Sequence, residues 1–207
     1  MLPRNGTLQP RIGQEGSEGL ADRLNSNASL KMMERIAIDM DEVMANTMQH
    51  CLDRYNADFD RLLTLADFHG LDIFDVIEGD HHSHVRQYFQ SAEFFANINV
   101  MEDSQETVKD LTKKYDVFVV SAAMDVPKSF SAKFEWLNQY FPFLPPARIV
   151  FCGDKSIIAA DYLIDDNVRN LMNFPGKGVI FTAHHNVHET RFPRVNNWQE
   201  VRGMFLS

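Results

Sequence analysis

Cysteine is scarce in this chain. Its 2 cysteines, Cys51 and Cys152, stand far apart. Two isolated thiols build neither a disulfide framework nor a paired metal-ligand motif, which suits a reducing compartment, so the expected location is cytoplasmic. Long apolar runs are also missing, and the first 30 residues hold no hydrophobic stretch of the signal-peptide kind, so neither membrane insertion nor export is expected. Positive charge is in deficit, with 20 Lys and Arg against 29 Asp and Glu and a net charge of -9. No basic stripe offsets this, so a long nucleic acid is excluded as a partner. A small anion stays compatible with the composition if a cation shares its site.

What is present suits one good core with a small accessory domain: 207 residues, 44% of them hydrophobic. Residues 1–31 are rich in Gly, Asn, Gln and Ser without hydrophobic periodicity and read as a disordered N-terminal extension. Met32 or Met33 is a candidate native start. Beyond it, short β-type runs alternate with helical patterns, the signature of an α/β domain on a mainly parallel sheet.

RIAIDM at 35–40 reads as the first strand and DVFVVS at 116–121 as another, with three more in RIVF, YLID and GVIFT. Asp103 to Tyr115 reads as a helix with Asp103 and Glu106 as a capping box. Pro127 fits the first turn of a second helix carrying Phe130, Phe134, Leu137 and Phe141 on one face. A last helix starts at Asn197, with Glu200 three positions on and Trp198, Val201 and Phe205 on its apolar side.

Between the first strand and Asp103, about sixty residues break the strand and helix rhythm and read as an inserted helical cap. One helical stripe runs through Val43, Met44, Thr47, Met48, Cys51, Leu52 and Tyr55, and a second spans Val85 to Phe95. The division expected is a core of 32–46 and 100–207 with a cap of 47–99. An insertion there sits over the carboxyl edge of the sheet, where open α/β sheets bind ligands.

The first strand ends in Asp39-Met40-Asp41, two carboxylates just where strand gives way to loop. Two close carboxylates repel, so a bound Mg²⁺ would keep Asp39 ionised while Asp41 holds a transferable proton. An Asp-x-Asp pair alone is a weak signal, since surface turns hold many. Its companions raise it: Ser121 closes one strand, Asp165 and Asp166 close another, and Lys155 lies ten residues before that pair. Each could be a cap or turn residue by itself. That all coincide at strand ends argues for chemistry.

This ordered set resembles the motifs of the haloacid dehalogenase superfamily, and the likeness runs from about Arg35 onward. IAIDMDEVMANT, FVVSAA, AKFEW, GDKSIIAADYLIDD and FTAHHNVH are similar to the 5'(3')-deoxyribonucleotidase family in particular. The resemblance implies a Rossmann-like sheet and a phosphomonoesterase acting on nucleoside monophosphates. It implies Asp39 as nucleophile, forming an aspartyl phosphate, and Asp41 as proton donor and then base. Ser121 and Lys155 would hold phosphoryl oxygens. Mg²⁺ would bind the Asp39 carboxylate, the Asp41 carbonyl and Asp166, with Asp165 behind it orienting coordinated water. In the family, cap aromatics enclose the nucleobase, and the match falls on Phe89 and Phe95.

Vertebrate members carry Thr-Ser-Pro where this chain has Ser121-Ala122-Ala123, and Arg-Asp-Lys where it has Gly153-Asp154-Lys155, so polar contacts available to the substrate are fewer. Aspartate at 41 argues against the dehalogenase branch, which needs no proton-donating acid. The alternatives are a phosphatase for another small metabolite, such as a sugar phosphate, and a non-catalytic nucleotide or phosphate sensor. A homodimer is left open. His81, His82 and His84 form an imidazole cluster that reads as a polar surface loop in preference to a metal site, and His184 and His188 read as structural.

Overall fold

The computed structural model describes residues 33–207, so the reading of residues 1–31 lies outside the described part. Six parallel strands form one sheet: β1 (Arg35–Ile38), β2 (Asp116–Ser121), β3 (Ile149–Phe151), β4 (Tyr162–Asp165), β5 (Lys177–Phe181) and β6 (Arg194–Val195). Their spatial order is β3-β2-β1-β4-β5-β6, a doubly wound, Rossmann-like α/β arrangement. Parallel strands at the centre of such a sheet are covered on both faces and therefore read as unbroken apolar runs. Ile36, Ala37 and Ile38 are indeed all inaccessible.

Alternation along the strands separates two cores. Ile36, Ile38, Val119 and Ile164 face one layer, while Ala37, Val120, Leu163 and Ile180 face the other with Leu171 and Phe174. The first layer is the larger. It takes α5 (Ser104–Leu111), α6 (Phe130–Tyr140) and α8 (Trp198–Leu206), through Val108, Trp136, Leu137, Trp198 and Phe205. The second packs under α7 (Val168–Asn173).

Between β1 and α5 lie four helices, α1 (Thr47–Phe59), α2 (Ile73–Val76), α3 (His82–Tyr88) and α4 (Ala92–Ala96). Two tryptophans fasten the loops flanking them: Trp198 Nε1 donates to Val43 O and Trp136 Nε1 to Ile98 O, both at 2.7 Å. Among the described residues, no helix is long and apolar enough to cross a membrane.

Several local expectations are corrected. Asp103 does not cap α5 with its side chain; it takes a left-handed φ of 61° and its carboxylate accepts from Gln199 Nε2 at 3.0 Å. The helix ends at Leu111, short of Tyr115. Val43 and Met44 are buried but precede α1, in a turn where the amides of Met44 and Ala45 both donate to Met40 O. Helix α1 is then capped by Glu42, which accepts from Met48 N, while Asn46 contributes no cap bond. The stripe from Val85 to Phe95 divides at an extended Ser91 into α3 and α4. On α6 the buried face is Ala132, Lys133, Trp136 and Leu137, whereas Phe130 and Phe134 are only half-buried. Strand β6, just 2 residues long after Pro193, is too short for any periodicity to reveal.

Candidate active site

The chain runs from β1 outward to β2 and β3, then returns to the other flank of β1 with β4. The strand order therefore reverses between β1 and β4, and such switch points open a crevice at the strand carboxyl ends. Five expected residues are carried there by the topology. Asp39 follows β1, its amide donating to Ile164 O at 2.9 Å, and Asp165 and Asp166 close β4 beside it. Ser121 ends β2 on the opposite side of β1. Lys155 arrives on a 3-10 turn whose Asp154 side chain accepts from Ser156 N at 2.8 Å.

Lys155 is 1% exposed, a position a lysine tolerates only when paired. Its Nζ lies 2.6 Å from Asp165 Oδ2 and 2.7 Å from Asp39 Oδ1. Burial alone would lower its pKa; the Asp39 and Asp165 carboxylates outweigh that and hold it above the ordinary lysine value. Asp165 also accepts from Asn167 N at 2.8 Å and from Asn170 Nδ2 at 3.1 Å, so its oxygens are well supplied with donors.

Asp39 and Asp166 are less well served. Asp39 Oδ1 is buried, and although the Lys155 ammonium is near, no directed hydrogen bond reaches it. Burial pushes the Asp39 carboxyl up to about 7, against the pull of Lys155 and with the help of Asp165 and Asp41. Burial, then Asp165 and Asp39, push Asp166 well above the usual carboxylate range. The His185 imidazole, whose own pKa burial lowers, has Nε2 3.4 Å from Asp166 Oδ2.

Oxygens of Asp39, Asp165 and Asp166 lie within 4.8 Å of one another. Were all four carboxylates (Asp39, Asp41, Asp165, Asp166) ionised, the two ammonium groups (Lys133, Lys155) would leave two negative charges to balance. An all-oxygen donor set with an excess of two charges fits a hard divalent cation.

A cavity of about 260 Å³ opens over these groups, lined by Asp39, Asp41, Thr47, Phe89, Phe95, Val126, Lys133, Asp166 and Asn170 among others. Five expected residues (Asp39, Asp41, Asp166, Phe89 and Phe95) thus face one space. Ser121, Lys155 and Asp165 lie behind its wall, at 0%, 1% and 0% exposure. Phe89 and Phe95 both pack on Phe94, with ring centroids 5.1 and 5.2 Å away.

The arrangement contains residues the sequence reading gave no role. Lys133 contacts Asp41 Oδ2 and lies 3.3 Å from Ser121 Oγ, and Thr47 Oγ1 donates to Asp41 Oδ1 at 3.2 Å. A signal for Lys133 existed, since it stands three and four positions before Trp136 and Leu137, on the face those residues bury. Asn170 had no comparable signal.

The other histidines do not converge. His81 Nδ1 pairs with Tyr55 OH at 2.9 Å, His82 Nε2 with Ile77 O at 3.3 Å and His84 Nε2 with Asp58 Oδ2 at 3.2 Å. They sit on a 3-10 turn and α3, where a loop was expected. His184 Nδ1 lies 3.9 Å from Glu42 Oε2, whereas His188 packs on His69.

The family model described as "5' nucleotidase, deoxy (Pyrimidine), cytosolic type C protein" matches residues 31–207. A Staphylococcus epidermidis protein is 47% identical over 174 residues, covering 84% of this chain and 97% of its own. The 5'(3')-deoxyribonucleotidase of Bacillus subtilis is 41% identical over 175 residues, covering 84% of this chain and all of its own. Among solved structures, a haloacid dehalogenase family hydrolase from Deinococcus radiodurans with bound phosphate and sodium superposes with a TM-score of 0.58 at 13% identity, covering 83% of this chain and 94% of its own. A magnesium-bound Bacillus subtilis protein of the same superfamily gives 0.53 at 11%, covering 86% of this chain and 100% of its own. Likeness at those identities carries the fold alone.

Proposed function

The chain belongs to the 5' nucleotidase, deoxy (pyrimidine), cytosolic type C family and is a phosphoric monoester hydrolase; from that premise we propose that it cleaves deoxyribonucleoside monophosphates with Mg²⁺, through a phosphoryl group carried on Asp39. One observation carries the reading: a buried carboxylate, Asp39, shares a cavity with a second carboxylate, Asp41, beneath two aromatic rings, with a buried ammonium behind it.

In this reading Asp39 attacks phosphorus and the ester oxygen departs toward Asp41, which gives it a proton. Asp41 then removes a proton from the water that releases phosphate. Ser121 and Lys155 hold phosphoryl oxygens, and the fixed Lys155 ammonium needs no reorganisation as charge moves. Asp39, the Asp41 carbonyl and Asp166 would hold Mg²⁺, which supplies Lewis-acid stabilisation of the phosphoryl oxygens. The many donors on Asp165 support an outer position for it, orienting coordinated water, and the few on Asp166 support direct ligation. Phe89 and Phe95 offer apolar faces to a nucleobase. Residues 47–99 act as the cap that carries them. Two free, buried cysteines support a reducing, cytoplasmic setting.

Phosphate release measured over deoxyribonucleoside, ribonucleoside and sugar monophosphates, with and without Mg²⁺, tests the reading. Turnover should require Mg²⁺ and be fastest on a deoxyribonucleotide. Faster turnover of sugar phosphates than of every nucleotide would sink the nucleotide assignment while leaving the phosphatase. No turnover on any ester would favour a sensor.

A further inference from the structure

Among the described residues Lys133 is the second buried lysine besides Lys155, at 4% exposure, yet no expected role accounts for it. A buried ammonium is retained only where its surroundings repay desolvation. Three surroundings do so. The Nζ atom meets Asp41 Oδ2 directly, lies 3.3 Å from Ser121 Oγ, and stands 4.8 Å from the centroid of the Phe95 ring. The last is within reach of a cation–π attraction, which strengthens as water is excluded. Helix α6 keeps the stem in place, because Trp136, one turn on, is fully buried and tied to Ile98 O.

The consequence falls on Asp41. Its side chain is 30% exposed and would otherwise rotate. Thr47 Oγ1 holds Oδ1 at 3.2 Å and Lys133 holds Oδ2, so both oxygens are fixed from opposite elements, α1 and α6. We propose that Lys133 is a positioning residue that fixes the Asp41 carboxylate for proton transfer to and from the cleaved ester oxygen and the attacking water. This rests on the reading of Asp41 as acid and base given above. Lys155 remains beside Asp39 for phosphoryl charge, so the two ammoniums divide the labour: one serves the nucleophile, the other the proton carrier.

The division makes the effect of Lys133 depend on the leaving group. A deoxyribonucleoside leaves as an alkoxide and needs its proton; p-nitrophenolate leaves without one. Misplacing a positioned group by about 1 Å typically costs on the order of 100-fold in rate. In rapid-mixing experiments with Mg²⁺, Lys133→Met should slow first-turnover release of the deoxynucleoside about 100-fold. First-turnover release of p-nitrophenol should slow by less than about fivefold, its leaving group needing no acid. KM for the nucleotide should stay within about threefold, since phosphate contacts remain. Lys133→Arg, which keeps the charge, should recover at least about tenfold of the loss.

Equal slowing with both leaving groups, unchanged kcat, or a loss confined to KM would each overturn the proposal. Should Lys133→Met fail to fold, Lys133→Arg carries the same comparison, and a deficit equal for both substrates overturns it. Failure of the wild-type protein itself to hydrolyse the nucleotide would instead remove the proposed function, which separates the two outcomes.

Discussion

Lys155 Nζ sits 2.7 Å from Asp39 Oδ1, with the lysine side chain wholly out of solvent and the aspartate nearly so. Removing one member of a buried pair leaves the other charge uncompensated, a change that typically costs about 3–5 kcal/mol. Lys155→Met should therefore lower unfolding free energy by about that amount in urea titrations at pH 7 with EDTA present. Adding Mg²⁺ should restore part of the loss, because a cation at Asp39 relieves the same repulsion. A variant as stable as wild type in EDTA would contradict this account of the pair.

Metal binding can be read without turnover. If Asp166 is a direct ligand, Mg²⁺ should raise the Tm of the wild-type protein in a concentration-dependent way, since a ligand bound only to the folded state stabilises it. Asp166→Asn should abolish that rise. Asn170→Ala, which removes donors 3.1 Å from both Asp165 oxygens, should weaken Mg²⁺ affinity by about 10–100-fold without abolishing it. An undiminished Mg²⁺ response in Asp166→Asn would place the ion elsewhere.

Phe89 lines the cavity but is only half-buried, so it reports on substrate more than on stability. Phe89→Ala should raise KM for a deoxyribonucleotide about tenfold and leave kcat within about threefold, the pattern of lost uniform binding. KM for p-nitrophenyl phosphate, which lacks a nucleobase, should change far less. A similar rise for both substrates would mean that Phe89 shapes the site generally.

How much of this was legible in the sequence follows from what sequence patterns encode. YLID is a strand because β-branched and aromatic residues suit a covered sheet, and it ends at Asp165 as expected. The crevice followed from three strands each ending in a polar residue. The apolar stripe through Phe130, Phe134, Leu137 and Phe141 leaves Lys133 out, while the protein buries Lys133 and Trp136 beside Leu137. A charge hidden among core positions is invisible to a hydrophobic pattern. Asp103 and Glu106 match a capping box in spacing, but spacing does not specify the left-handed backbone at Asp103, which redirects its carboxylate to Gln199. The bonds of Asn170 to Asp165 span only five positions, but they depend on the angle at which α7 leaves β4, which no residue pattern specifies.

His184 makes stability depend on pH. Burial, then the neighbouring His185, depress its imidazole to about 4, against the pull of Asp72. The unfolded chain, at the ordinary value of 6.5, therefore binds more protons between those limits. Stability must rise with pH through that window and be flat above it, so far as this group is concerned. Glu42, 3.9 Å away and pushed by burial up to about 7, works in the opposite sense, favouring the fold while protonated. Comparing His184→Gln with wild type isolates the histidine: the variant should gain relative stability below pH 6.5, by up to about 3 kcal/mol near pH 4, and show no trend above pH 7. A pH-independent difference in urea midpoints would contradict the buried neutral imidazole.

The covalent step is the centre of the account and can be caught directly. Acid quenching during turnover of a deoxyribonucleotide with Mg²⁺, followed by tritiated borohydride, converts an aspartyl phosphate to labelled homoserine. Peptide mapping should find the label at Asp39, and Asp39→Asn should show neither label nor turnover, with at least about a thousandfold loss of rate. Brisk phosphate release with no label at Asp39, or with the label on another carboxylate, would contradict it.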